Sequence, residues 1–286
     1  MTNGIWRKYP NLLCEQQRPP PSTYIERNDG KLKLILNADD FGYSSYVNHA
    51  IADSFEQHLC SNTTLMVNMP SADEAVELAY DKGFANKVGL HINLTEGKPL
   101  TDSIRRLKLF CDENGSFNGS FNDNTFSRLF LDLETIRIIR AEIDAQLERY
   151  TKYHLPLLHL DSHQYTHTNL PVFLAMKPLM KKYNIRSVRI ARNINKKESI
   201  HNKVYKFLYN IYLSRYSPYV TNYFASMDEY LLLNNEIKDN ENVTLEIVLH
   251  PIYKDNAIWD GEIELNKKIV MINPKHQFIS YADIIL

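Results

Sequence analysis

The feature that most constrains this chain is an alternation that begins at Lys31. Short apolar runs of strand length take turns with segments of helical periodicity, and several runs end on polar or charged residues. KLKLIL (31–36) leads into Asn37-Ala38-Asp39-Asp40-Phe41-Gly42. TTLMVN (63–68), KVGLHINL (87–94), LPLLHLDSH (155–163), SVRIA (187–191), a segment near 219–225 and VTLEIVLHP (243–251) follow. Helices lie between them. Ser44 can cap one whose residues Val47, Ala50, Ile51 and Phe55 share a face. Ser71 and Glu74 have capping-box spacing for a second, reaching about Tyr80. Two more are predicted over about 134–153 and 171–183. Strands joined by helical crossovers lie parallel. Five or six such units in about 255 residues favour an α/β fold of the distorted β/α barrel type over an open sheet. Such a barrel of parallel strands gathers their C-terminal ends on one face, where active sites form.

Two segments depart from the alternation. Residues 99–132, with Gly115, Gly119 and several Asn, read as a long insertion on the rim. Residues 195–217 are basic and aromatic, and Val204, Phe207, Leu208 and Ile211 fit one face of an amphipathic surface helix with solvated lysines. Ahead of the domain, residues 1–30 contain Pro10 and the run Pro19-Pro20-Pro21, the composition of a loosely ordered extension; a packed arm is the alternative. Residues 31–286 are read as a single domain.

Composition narrows the function classes. A net charge of −1 gives no electrostatic reason to expect nucleic acid as a partner. No run of about 18 apolar residues suggests a membrane span. The first residues lack the apolar core of a secretory signal, and Cys14, Cys60 and Cys111 are widely spaced with no CxxC pair. The expectation is a cytoplasmic protein with reduced thiols.

The strand ends carry the chemistry. Asp39 and Asp40 taken alone are as well explained as turn or helix caps, and His91 alone as a satisfied structural histidine. HLDSHQYTH is more telling, with His159, Asp161, His163 and His167 within nine residues. On an extended strand His159, Asp161 and His163 point to one face. Imidazole and carboxylate together suit zinc and other divalent ions, and two histidines with one aspartate leave positions open for water and substrate.

With these residues in view, the sequence resembles the YdjC-like (ChbG) carbohydrate deacetylase family. The matching motifs are NADDFG at 37–42, GLHINLTEGKPL at 89–100, HLDSHQYTH at 159–167 and LHP at 249–251, covering about residues 32–260 in the family's order. The resemblance implies that Asp40, His91 and His163 bind one divalent metal ion, zinc or magnesium. It makes Asp39 the general base that activates water and His250 the general acid that protonates the leaving amine. His159, Asp161 and His167 then stand behind the metal ligands or face the substrate. Arg189, from its place on SVRIA, is read as partner to an active-site carboxylate.

The activity implied is removal of an acetyl group from an N-acetylated sugar or oligosaccharide, releasing acetate. The alternatives are a metal-dependent hydrolase of another ester or amide, a deacetylase of a lipid-linked amino sugar, and a catalytically silent sugar-binding protein. Gln164 and Tyr165 stand where the family often has further histidines. The sugar itself, and whether the chain forms a homodimer, stay open at this point.

Overall fold

The computed structural model describes residues 32–285, apart from 124–125, 196–197, 234–236 and 238–241. The N-terminal extension expected over 1–30 lies outside the described residues. Strands β1 (Lys33–Phe41), β2 (Asn62–Leu65), β3 (Val88–Ile92), β4 (His159–Ser162), β5 (Ser187–Val188), β6 (Tyr223–Ser226) and β7 (Thr244–Leu249) form one curled sheet. Its order is β5-β4-β3-β2-β1-β7-β6, and every pairing is parallel. Among the described residues the two edges meet through a bridge of Ser187 with Tyr219, beside a hydrogen bond from the Phe224 amide to Asn193 Oδ1. The result is a barrel distorted towards a half-barrel. A three-stranded antiparallel sheet follows from β8 (Pro251–Lys254), β9 (Ala257–Asp260) and β10 (Ile263–Glu264). The last strand, β11 (Gln277–Ile279), pairs with β1 at Lys33–Ile35, so the first and last described strands share a sheet.

Helices cover the outside. They are α1 (Ser45–Glu56), α2 (Ala72–Asp81), α3 (Asp102–Arg105), α4 (Ser120–Asp123), α5 (Leu133–Lys152), α6 (Leu170–Lys182), α7 (Ile200–Leu213), α8 (Met227–Leu233), α9 (Leu265–Ile269) and α10 (Ala282–Ile285). The large apolar core lies between them and the sheet, from Leu34, Leu36 and Ala38 to Ile139, Ile143 and Leu147. A second, small cluster of Ile35, Leu157, Ile279 and Tyr281 sits at the N-terminal end of β1. Strands covered on both sides are apolar almost throughout. The polar residues within them are therefore the exceptions to explain.

Several local expectations change in the structure. Ser44 does cap α1, accepting from the Val47 amide at 3.3 Å. Ser71 makes no side-chain cap, since its ψ of 17° lies outside the extended region of a capping residue, and Glu74 accepts from Ser45 Oγ at 2.6 Å and Asn48 Nδ2 at 2.9 Å instead of closing a capping box. β4 is shorter than 155–163. His159 and Asp161 lie on it, but His163 opens a 3₁₀ turn, His163–Thr168, in which Gln164 and Tyr165 have φ of 52° and 57°. Arg189 lies one residue beyond β5.

Helix α7 presents the face opposite to the one an ordinary surface helix would bury. Tyr209 and Leu213 are its buried residues, while Val204, Phe207, Leu208 and Ile211 are exposed. The tyrosines decide the orientation. Tyr209 and Tyr212 both pack edge-on against Phe173 of α6, and the Tyr209 hydroxyl donates to the His167 carbonyl at 2.9 Å. Ring and hydroxyl are satisfied together on that side.

Candidate active site

Parallel registers bring the strand-end residues together. His91 and Asp161 are direct partners across β3 and β4, so both point to the same side. Two residues earlier on β3, Gly89 leaves room for His159 of β4, because a Cβ there would lie 3.0 Å from the His159 carbonyl oxygen and 3.1 Å from its ring. On β1, Asp39 and Asp40 would normally face opposite ways. Asp40 instead has φ of 70°, and the β1–β2 register shifts between Ala38 and Phe41. The left-handed residue, which Asp tolerates better than most, lets both carboxylates reach the same cluster.

His91 is held by its rear nitrogen. Nδ1 lies 2.6 Å from Asp161 Oδ1 and 3.1 Å from Thr64 Oγ1, while Thr64 donates to Asp161 Oδ2 at 3.0 Å. A carboxylate that close accepts the Nδ1 proton, which leaves Nε2 with a lone pair. Buried Nε2 makes no hydrogen bond, yet Asp40 Oδ1 stands 3.3 Å away. The same Asp40 oxygen is 2.8 Å from His163 Nδ1, and His163 Nε2 is 3.3 Å from Glu96 Oε1. The ligand atoms of Asp40, His91 and His163 lie within 4.8 Å of one another. Two acceptors facing each other at 3.3 Å ask for a positive charge between them, and two imidazoles with one carboxylate form a donor set that suits a divalent ion.

With the chain alone, protons take that role. Burial pushes His91 down, but the charges of Asp161 and Asp39 outweigh it and leave His91 raised to about 10. His163 is likewise raised to about 9, burial being overcome by the charge of Asp40 and the hydrogen bonds to Asp40 and Glu96. Burial works to raise Asp40, and the two histidines hold it well below the usual carboxylate range.

Beside this cluster sits a buried cation. Arg189 is 0% exposed. Its guanidinium takes Asp39 by both oxygens, each at 2.7 Å, and reaches Asp161 Oδ2 at 2.8 Å and Glu246 Oε1 at 2.8 Å. Phe224 packs under it, 4.8 Å from ring centroid to Cζ. Tyr281 donates to the other Glu246 oxygen at 2.7 Å. A buried guanidinium needs such pairing, since it cannot shed its charge. Burial works to raise Asp39, but Arg189 outweighs it and Asp39 is lowered to about 2. Two other groups of carboxylates and histidines are close enough to bind an ion, Asp39-His91-Asp161 and His159-Asp161-Glu246. Arg189 already pairs with carboxylates of both, whereas it does not touch Asp40, His91 or His163.

His250 follows β7 directly and is exposed. The Ala38–Leu249 register sets it beside Asp39, and its positive charge would act on that carboxylate. Its backbone amide donates to Asp260 Oδ1 at 2.9 Å, and Asp260 is fixed by buried Lys268 at 2.9 Å. His159 and His167 stand elsewhere. His159 stacks on Tyr281 with centroids 3.5 Å apart, deep below the rim, and burial keeps it neutral. His167 has both ring nitrogens engaged, with Ser162 Oγ at 2.6 Å and the Arg189 carbonyl at 3.0 Å. Neither ring is offered to an incoming molecule. His167 instead fixes the main chain that carries Arg189.

The family profile described as YdjC-like protein matches residues 33–277. The chain belongs to the YdjC-like family. Two proteins named carbohydrate deacetylase illustrate the kinship of this YdjC-like chain. That of Clostridium beijerinckii is 30% identical over 268 residues, which are 88% of this chain and 100% of the relative. That of Thermoanaerobacter pseudethanolicus is 31% identical over 263 residues, 88% of this chain and 96% of the relative. The fold has a solved counterpart in an Enterococcus faecalis V583 protein described as a candidate for cellobiose-phosphate cleavage. It has a TM-score of 0.65 and 23% identity, and covers 90% of this chain and 100% of its own. At that identity the likeness speaks for the fold.

Sequence reasoning missed four residues that contact the candidate site of this YdjC-like chain. Glu246 carried a usable signal, as the one charged residue in the apolar run TLEIVL. Glu96 stood inside a quoted motif. So did Asn37, which donates to Asp39 Oδ1 at 2.7 Å, whereas Thr64 carried no signal, because a neutral polar residue in a strand is ordinary.

Proposed function

We propose that the chain is a metal-dependent carbohydrate deacetylase that removes the acetyl group of an N-acetylated sugar. The observation that carries this reading is the facing of His91 Nε2 and Asp40 Oδ1 at 3.3 Å, with His163 Nδ1 at 2.8 Å from the same oxygen. The names of the full-length relatives supply the reaction class. Asp40, His91 and His163 would hold the ion. Imidazole-rich donors favour zinc or a similar transition ion over magnesium, which prefers oxygen. When bound, the ion supplies Lewis acidity, polarising the acetyl carbonyl and making a water more acidic.

The remaining work falls to side chains. Asp39 takes the proton of the attacking water. Its Oδ1 already accepts from Asn37 and Arg189, whereas Oδ2 accepts from Arg189 alone and keeps a lone pair for this task. Arg189 and Asn37 fix the direction in which that lone pair points. With its carboxyl lowered to about 2, Asp39 stays ionised throughout the working range. His250, exposed on the same rim, gives a proton to the leaving nitrogen as the C–N bond breaks. Acetate and the amino sugar result, and the proton on Asp39 passes to solvent or back to His250.

The test is acetate release from N-acetylglucosamine oligomers by metal-loaded protein. Release that is lost in His163→Ala is the expected result. Absence of acetate with every divalent ion and every oligomer would refute the reading and favour another ester or amide as substrate.

A further inference from the structure

Helix α7 carries apolar side chains on two opposite faces, and only one of them is used. Inward, Tyr209 and Leu213 are buried. Outward, Ile200, Val204, Phe207, Leu208 and Ile211 lie in one stripe at helical spacing, with exposures between 43% for Ile211 and 77% for Ile200. The helix is not free to roll and hide them. Tyr205 and Tyr209 donate to the carbonyls of Thr168 and His167 at 2.7 and 2.9 Å, and the Asn210 side chain bonds both the amide and the carbonyl of Ala191 at 2.8 and 3.0 Å. These anchors follow β4 and β5, so the stripe stands on the same rim as the candidate site.

Charge says what the stripe meets. The segment that carries α7, residues 195–217, holds five Lys and Arg against a single acidic residue, Glu198, in a chain whose net charge is −1. Neither α6 nor α7 contains an acidic residue. Glu198 is taken up by Lys206 at 2.5 Å, while Lys203, one residue from Val204, is exposed. A second copy of the same helix would bring like charges together. An anionic lipid surface complements them, and a basic helix with an apolar face lies in the headgroup layer for this reason. No helix among the described residues is long and apolar enough to cross a membrane, so the contact is one of surface docking.

We propose that the outer face of α7 docks the protein on an anionic bilayer, with the Val204–Phe207–Leu208 patch in the headgroup layer and Lys203 against acidic lipids. This surface is independent of the reaction assigned to the site.

Co-sedimentation of the full chain with vesicles tests the proposal, using phosphatidylcholine alone and phosphatidylcholine mixed with phosphatidylglycerol. Two variants are compared, Phe207→Ser with Leu208→Ser, and Lys203→Glu. Circular dichroism and acetate release serve as controls for folding. The expected result is partition onto the phosphatidylglycerol vesicles that weakens with salt, and that falls about ten-fold or more in each variant. The proposal is overturned if the chain does not bind those vesicles, if it binds pure phosphatidylcholine equally well, or if both variants bind as the parent does. A concentration-dependent dimer dissociated by the same substitutions, with no vesicle binding, would assign the face to a second copy instead.

Discussion

Arg189 grips Asp39 through two hydrogen bonds of equal length, Nη1 to Oδ2 and Nη2 to Oδ1, both 2.7 Å. The pairing matches the planar fork of a guanidinium to the two oxygens of a carboxylate, a geometry that an ammonium group cannot reproduce. Arg189→Lys keeps the charge and loses the fork. We expect a folded protein whose kcat is lower by about 100-fold, because the carboxylate is no longer aimed. A kcat equal to the parent's would mean that charge alone suffices. Arg189→Met leaves Asp39, Asp161 and Glu246 buried without a cation, and should cost about 3–5 kcal/mol in chemical denaturation.

Asp39→Asn separates metal binding from turnover. Asp39 is not among the residues assigned to the ion, so calorimetric affinity for zinc should change little, while kcat falls by about 1,000-fold. Activity close to the parent's would remove Asp39 from its role as base.

Proton release should accompany metal binding. His91 and His163, raised to about 10 and about 9, are protonated at pH 7 in the metal-free chain and must bind the ion as neutral rings. Calorimetry in buffers of different ionisation enthalpy should report about two protons released per ion, and affinity should rise with pH up to that range. The acid limb of the activity profile should move to lower pH as metal concentration rises. Stability of the metal-free chain has the opposite sense. Because both histidines are raised on folding, their contribution is complete below about 6.5 and is lost as pH climbs through 9 to 10. A binding enthalpy independent of buffer would contradict this picture.

Tyr281 joins the tail of the chain to the site. Tyr281→Phe keeps the stacking on His159 and removes the hydroxyl bonded to Glu246 Oε2. A loss of about 1–2 kcal/mol in unfolding free energy is expected, measured by denaturant titration. No loss at all would show that Glu246 is satisfied without it.

Much of this arrangement was legible because the informative residues are costly ones. Each aspartate or histidine at a strand end is explained by a cap or a structural role when taken alone, and it is their recurrence at several strand ends that points to a site. The alternation of strands and helices brought those ends to one face. Glu246 was not legible in the same way. Its partner Arg189 lies 57 residues away on another strand, and only the curl of the sheet brings the two together. His163 was placed on a strand because periodicity extends through LDSH, whereas the chain turns there through the left-handed Gln164 and Tyr165. In α7, periodicity found an apolar stripe but carried no sign of which side faced inward. That choice was made by tyrosine hydroxyls reaching carbonyls on a neighbouring segment.

Among the described residues the sheet edges are joined by a backbone bridge of Ser187 with Tyr219, and Arg189, just past β5, ties this edge by side chain to Asp161 on β4, Asp39 on β1 and Glu246 on β7. Residues assigned to the chemistry are therefore also the rivets of the scaffold. Drift in this neighbourhood cannot trade one property for the other. A descendant that abandons catalysis still has to keep Arg189 and its carboxylates to hold its shape, so their presence in a relative does not by itself testify to activity. Asp40, His91 and His163 carry less of that structural burden and are the better witnesses.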